Sequence, residues 1–232
     1  MYNKTNTKLI QLSFILLFVI STKTLAAFND SRVKKWEFFL APQFTNSKLL
    51  QFTNGAEADI NEHSSLGFGF AYNLNAHIEL GGTFASSNSN YVGTRIIDNN
   101  PEDPENPNGA EKFTANMYTS SIDFNFTYNL LSSAFTPYIT ANIGSTYIDS
   151  GVPTGDISTG CWWDPWWGYY VCGPVARTYT TTEMNYGAGI GLRYDFNRKL
   201  YIKGGVSKNY IDLNSTNTPD FTTYQFIFGF MF

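Results

Sequence analysis

The sequence predicts an all-β fold: a closed antiparallel transmembrane barrel of eight strands, with short periplasmic turns and long extracellular loops. Three observations predict it. Side chains alternate with a period of two through eight segments, the connections between those segments alternate between short and long, and an export segment precedes them. Composition agrees. Of 232 residues, 43% are hydrophobic and 17% aromatic, but only 15% are charged. So much aromatic surface must be buried somewhere, which excludes disorder. A helical membrane bundle is excluded too, because the only long apolar run, residues 9–20, lies at the N-terminus. Mean hydropathy is −0.22 despite the aromatics, so polar and apolar residues are interleaved.

The export segment comes first. Lys4 and Lys8 form a positive n-region, residues 9–20 an apolar h-region, and Thr24-Leu25-Ala26 sets small residues at the −3 and −1 positions of a cleavage site. Residues 1–26 are therefore expected to be a cleaved signal peptide and residues 27–232 the barrel domain. The run is short for a spanning helix, which needs about 20 residues. No Cys follows the cut, so a lipid anchor is not indicated. Lys4, Lys8 and Lys23 account for three of the 15 Lys and Arg, so the mature chain sets 12 basic against 19 acidic residues, a net charge of −7. An acidic exported chain without a basic patch is a poor nucleic-acid binder. Two cysteines in such a chain point to one disulfide rather than a metal or redox pair.

The strands follow in order. Trp36, Phe38, Leu40 and Phe44 alternate with Glu37, Ala41 and Gln43. Leu66, Phe68, Phe70 and Tyr72 alternate with Gly67, Gly69, Ala71 and Asn73. Ile78, Leu80 and Phe84 face away from Glu79, Gly81 and Thr83. Tyr118, Ile122, Phe124, Phe126 and Tyr128 face away from Thr119, Ser121, Asp123, Asn125 and Thr127. Ile139, Ala141, Ile143 and Tyr147 make a weaker face. Tyr186, Ala188, Ile190, Leu192 and Tyr194 oppose Asn185, Gly187, Gly189, Gly191 and Arg193. Leu200, Ile202 and Val206 oppose Tyr201, Lys203, Gly205 and Ser207. Tyr224, Phe226, Phe228, Phe230 and Phe232 then alternate with Gln225, Ile227, Gly229 and Met231.

Short turns fall near residues 73–76, 131–137 and 197–199, and long loops cover about 46–62, 87–112, 149–179 and 212–221. Short on one side and long on the other is the outer-membrane pattern, and closure is required because lipid cannot satisfy a sheet edge. Outward Tyr and Trp fall at both ends: Trp36, Tyr72, Tyr128 and Tyr194 at the short-turn end, and Tyr118, Tyr147, Tyr210 and Tyr224 at the loop end. Amphipathic rings collect at membrane–water interfaces. Lys208 is the one charge on the predicted lipid face. It reaches headgroups from beside Tyr210, or a bulge turns it inward. A secreted β-sandwich also alternates, but it buries its aromatics and has no reason for two girdles.

These residues carry a resemblance. The terminal segment Tyr224-Gln-Phe-Ile-Phe-Gly-Phe-Met-Phe232 resembles the β-signal read by the barrel-assembly machinery, with Tyr224, Phe226, Phe228, Phe230 and Phe232 as its aromatic positions. Thr136-Pro137-Tyr138-Ile139 after a short turn looks like the start of the fifth strand in the small eight-stranded outer-membrane barrel superfamily (the OmpA membrane domain, OmpX and Ail-like proteins). The resemblance implies a monomeric barrel in the outer membrane of a Gram-negative bacterium, in contact with outer-membrane lipids and lipopolysaccharide. It also implies roles in adhesion, serum resistance, envelope integrity or small-solute passage. The chain ends with its eighth strand, so no peptidoglycan-binding domain is expected.

Two sets of residues carry functional expectations. Glu37, Glu79, Asp123, Arg193, Asp195 and Lys203 face inward, all but Asp123 in the periplasmic half, and opposite charges there would pair. They make either a structural plug or a gate. Eight strands leave a lumen that side chains just fill, although the inward glycines leave room for water. The third loop holds four of the five Trp, Trp162, Trp163, Trp166 and Trp167, with Tyr169 and Tyr170. Asp164-Pro165 followed by Gly168 is turn chemistry. A hairpin centred there sets Cys161 opposite Cys172, so a disulfide is expected, and Trp163 opposite Tyr170. The aromatic patch either meets a host or surface ligand or folds onto the barrel rim. Residues 100–109 read as an acidic, Pro-punctuated solvated loop that matches no calcium loop. His63 and Ser65 share a face, but Glu79 is about 23 Å away along the hairpin, so no catalytic set forms. No enzyme, metal or cofactor is expected. The expected role is surface interaction or envelope integrity through the loops, and the alternative is a narrow pore for small solutes.

Overall fold

The computed structural model describes residues 32–52, 55–98, 108–164, 168–213 and 218–232, and the export segment of residues 1–26 lies outside them. Ten strands are present: β1 (Trp36–Thr45), β2 (Lys48–Gln51), β3 (Glu57–Ile60), β4 (His63–Asn73), β5 (Ile78–Asp98), β6 (Asn108–Asn129), β7 (Phe135–Asp164), β8 (Tyr169–Asp195), β9 (Leu200–Ile211) and β10 (Asp220–Met231). Eight of them form a ring. β1 pairs with both β4 and β10, β5 with both β4 and β6, and the remaining neighbours are consecutive, all antiparallel. At the seam, Trp36 and Phe232 exchange N–H to carbonyl hydrogen bonds of 3.0 and 2.9 Å. The ring therefore has no free edge, as lipid requires.

The short turns form because asparagine closes them. Asn75 Oδ1 accepts from the backbone N–H of His77 and Ile78, both at 2.8 Å, and Asn197 Oδ1 accepts from Lys199 and Leu200 at 2.7 and 2.9 Å. Each side chain stands in for a backbone acceptor, so two separate turns use the same chemistry.

Burial is inverted relative to a soluble β-protein. Phe226, Phe228 and Phe230 are more than half exposed on the outside, whereas Glu37 and Arg193 are fully buried within. Only a lipid-facing surface makes that arrangement favourable. On β6, Tyr118 and Tyr128 stand ten residues apart. That is about 33 Å along the strand and about 25 Å in height at a tilt near 40°, the thickness of an outer-membrane apolar band. Trp36 packs on Tyr72 at 5.0 Å in the periplasmic girdle, and Tyr186 stacks on Tyr210 at 5.4 Å in the outer one.

Three expectations are corrected. The eight expected barrel strands are present, but the first loop, expected over 46–62, carries two further strands, β2 and β3, which pair with each other, and β3 pairs with Tyr91–Thr94 of β5. The second and third loops are largely ribbon: β5 and β6 stay paired from Ile78↔Tyr128 to Asp98↔Asn108, and β7 and β8 out to Asp164↔Tyr169. Hydrogen-bonded extension continues past the membrane because the long polar Thr- and Ser-rich stretches keep β-propensity after the apolar pattern ends. Register shifts follow Asp149 and Pro153. Gly151 and Gly155 there have φ of +65° and +88°, which an L side chain rarely adopts. Of residues 100–109, only 108 and 109 are described.

The third correction concerns the inward glycines. Four of them, Gly69, Gly191, Gly205 and Gly229, are sockets for rings rather than water space. A Cβ on Gly229 would lie 2.1 Å from Tyr201 Cζ, one on Gly69 2.5 Å from Phe39 Cζ, and ones on Gly191 and Gly205 each 2.5 Å from the Tyr138 hydroxyl. Gly229→Ala is expected to destabilise the barrel by about 1–3 kcal/mol through overpacking. The same change in a Tyr201→Ala background should cost almost nothing further, as read by urea-unfolding midpoints of the four variants.

Candidate functional site

The periplasmic half of the lumen holds a network of buried charges. Arg193, projecting inward from β8, gives each nitrogen of its guanidinium to a different carboxylate. Nη2 meets Glu37 Oε1 at 2.6 Å, Nη1 meets Glu79 Oε2 at 2.8 Å and Nε meets Asp195 Oδ1 at 2.7 Å. Lys203 on β9 donates to Glu79 Oε1 at 2.5 Å and lies 3.7 Å from Glu37 Oε2. Asn73 Nδ2 donates to Glu37 Oε1 at 2.6 Å. The Tyr201 ring lies beneath both cations, 4.3 Å from Arg193 Cζ and 5.1 Å from Lys203 Nζ. Glu37, Glu79, Arg193, Asp195 and Lys203 are all at most 5% exposed.

Asp123 stands apart. It faces inward on β6, but its Oδ2 accepts from Ser121 Oγ at 3.0 Å, and it lines a chamber in the extracellular half. Sequence reasoning missed Arg32, which precedes β1 and is 1% exposed. Its Nε lies 3.2 Å from Asp195 Oδ2, and its Nη2 donates to the Ser133 carbonyl. One signal was present: three carboxylates against two cations left the lower cluster one positive charge short. With Arg32 the cluster is three against three.

At the opposite end, Cys161 and Cys172 are joined by a disulfide. They are register partners, as are Trp163 and Tyr170, whose rings meet edge to face at 5.3 Å. Trp163, Tyr169 and Tyr170 are each more than half exposed. Trp162 is described only by its backbone, and Trp166 and Trp167 lie outside the described residues. Asp164 pairs with Tyr169, the last described pair of the ribbon. Above the outer girdle, Tyr91 donates to the Ser150 carbonyl at 3.0 Å, and burial pushes its hydroxyl above the ordinary tyrosine value.

Lys208 points outward and pairs with Asp220 Oδ2 at 2.7 Å, and Lys48 meets Asp220 Oδ1. Its charge on the lipid side is thus partnered at the rim. His63 Nδ1 lies 3.2 Å from the Asn61 carbonyl, Ser65 Oγ donates to Gln43 Oε1 at 3.3 Å, and Glu79 is engaged by Arg193 and Lys203. These three residues therefore share no hydrogen bond with one another. Of the terminal aromatics, Tyr224, Phe226, Phe228, Phe230 and Phe232 all face outward.

A family model for the outer membrane protein beta-barrel domain matches residues 13–232. OprG of Pseudomonas aeruginosa superposes with a TM-score of 0.50 at 11% identity, over 88% of this chain and 98% of that one. Neisserial surface protein A gives 0.47 at 13%, over 84% and 95%. Ail of Yersinia pestis, in complex with the heparin analogue sucrose octasulfate, gives 0.44 at 10%, over 86% and 100%. No curated protein matches the chain in sequence. With a closed eight-strand ring, an outward apolar band and a family match over nearly its whole length, the chain belongs to the outer membrane protein β-barrel domain family and resides among the lipids of the outer membrane.

Proposed function

We propose that this protein works at the cell surface, through its extracellular ribbons, from a barrel whose lumen is plugged. The observation that carries this reading is the buried cluster of Arg32, Arg193 and Lys203 with Glu37, Glu79 and Asp195. Together with the buried rings of Phe39, Tyr138 and Tyr201 it occupies the periplasmic half of the lumen. Parting these ions without water would be costly, which disfavours the narrow-pore alternative. Meanwhile β7 runs 17 residues beyond Tyr147 and β8 covers the 13 residues before its partner Thr182, a reach of about 40 Å. They present a stapled aromatic tip of Trp163, Tyr169 and Tyr170. Rigid Trp and Tyr give much contact area at low entropy cost, which suits a host or surface ligand. Trp162, Trp166 and Trp167 extend the same patch in sequence.

The rest of the reading is consistent with this role. Residues 1–26 are removed on export, residues 27–232 form the mature barrel, the terminal aromatics are read by the barrel-assembly machinery, and the barrel is a monomer. The chemistry is binding, not catalysis.

Three results test the proposal. Refolded mature protein in planar bilayers is expected to give no reproducible conductance steps, with or without residues 161–172; regular steps would make it a pore and the charge cluster a gate. Arg193→Ala leaves Glu37 and Glu79 short of a partner and should cost about 3–5 kcal/mol in denaturant unfolding. Arg193→Lys should recover only part, since one ammonium cannot reproduce the three-way fork. Intact-mass measurement of protein purified from outer membranes should begin at Ala27; a chain retaining residues 1–26 would refute the cleavage site.

A further inference from the structure

The extracellular half of the lumen holds a chamber of about 370 Å³, room for about a dozen waters at roughly 30 Å³ each. Its wall carries an array of acceptor oxygens. Asp123 on β6, Asn142 on β7, Asn185 on β8 and Asn209 on β9 all line it. Register explains why they converge. Gly144 is the partner of Asp123 on one side and of Asn185 on the other, and Gly187 is likewise flanked by Asn142 and Asn209. The two glycines leave the space that the longer side chains lean across. A Cβ on Gly144 would stand 2.5 Å from Asp123 Oδ1, and one on Gly187 would stand 2.2 Å from Asn209 Oδ1 and 2.7 Å from Asn142 Oδ1.

The donors of this array are already used. Asn185 Nδ2 donates to Thr146 Oγ1 at 2.6 Å, and Asn209 Nδ2 to Ser207 Oγ at 3.2 Å. The Asp123 carboxylate has only neutral partners, the Ser121 hydroxyl and the amides of Asn142 and Asn185, and Asn185 Oδ1 is buried without a hydrogen-bond partner. A buried acceptor without a donor is costly. No Lys or Arg lines the chamber among the described residues. The plug below is balanced charge for charge, so it lends Asp123 no spare cation. Higher up, the lining becomes apolar, with Leu50, Ile60, Tyr91 and Phe221 packed as one cluster.

We propose that this chamber binds a small amphipathic organic ammonium. Its charge meets the Asp123 carboxylate, its N–H donors reach that carboxylate and Asn185 Oδ1, and its apolar body lies against Leu50, Ile60, Tyr91 and Phe221. The site is independent of the surface role, because it requires neither a path to the periplasm nor the aromatic ribbon.

The test is calorimetric titration of the full mature barrel in phospholipid nanodiscs, with heats from empty nanodiscs subtracted. The probes are 2-phenylethylammonium, 2-phenylethanol and 3-phenylpropionate. The ammonium is expected to bind about tenfold or more tightly than the alcohol, and the anion not measurably. Asp123→Asn should weaken the ammonium about tenfold and leave the alcohol within about twofold. Ala85→Phe, which fills the chamber from β5, should weaken both. Circular dichroism checks that each variant keeps its β-spectrum, and if Asp123→Asn fails that check, Asn185→Leu carries the same expectation. Absence of ammonium binding, equal binding of the three probes, insensitivity to Asp123→Asn, or binding of calcium ion alone with none of the ammonium would each overturn the proposal.

Discussion

The pairing of β1 with β10 is the constraint from which the rest follows. In lipid, an unpaired strand edge leaves a row of backbone groups with nothing to bond. Register from Glu37↔Met231 to Thr45↔Thr223 removes that edge. It also fixes the lumen at eight strands, a width that side chains just fill, so a large ring on one strand needs a small residue beside it. Glycine on one strand and a ring on its neighbour is the solution used repeatedly, as with Gly229 beneath Tyr201 and Gly69 beneath Phe39. Closure, in other words, decides which inward residues can be large.

The same confinement decides the electrostatics. A charge in so narrow a lumen has little water, so it must be met by neighbouring strands. Arg193 suits the task because its planar fork serves three carboxylates at once, which a point-charged ammonium cannot do. Lys203 and Arg32 then complete neutrality from β9 and from the segment before β1. A buried ion-pair cluster of this kind is weak evidence for stability in itself, since desolvation offsets much of the attraction. Its stronger consequence is that β1, β5, β8 and β9 are bound to one another across the lumen, as well as around the wall.

Most of the wall was legible in the sequence, and the reason is physical. Lipid on one side and a polar, crowded lumen on the other impose opposite demands at successive residues, so alternation is unambiguous from Trp36 to Phe44 and from Tyr224 to Phe232. Beyond the girdles the demand vanishes, and so does the signal. Thr178 to Glu183 carries no lipid face, which is why ribbons read as loops. The inward charges were legible as a set facing one side, but not as atoms in contact. Arg32 carried no parity signal because it precedes the first strand, and only the charge imbalance of the cluster pointed to a missing cation. The glycines misled for a related reason: an absent side chain shows neither what fills the space nor from which strand it comes.

Asp123 shows what parity alone conceals. On alternation it is equivalent to Glu37 and Glu79, since all three face inward. Height along the barrel separates them. The lower two lie within reach of Arg193 and Lys203, whereas Asp123 lies among Asn142, Asn185 and the hydroxyls of β6. One half of the lumen therefore satisfies its charges internally, and the other keeps acceptors in reserve beside an open chamber. A single solute path would call for polar continuity from end to end. Here the polarity is divided into an ion-paired, neutral base and an acceptor-rich upper chamber, and that division separates the charges that tie the strands together from the acceptors that face the outer half of the lumen.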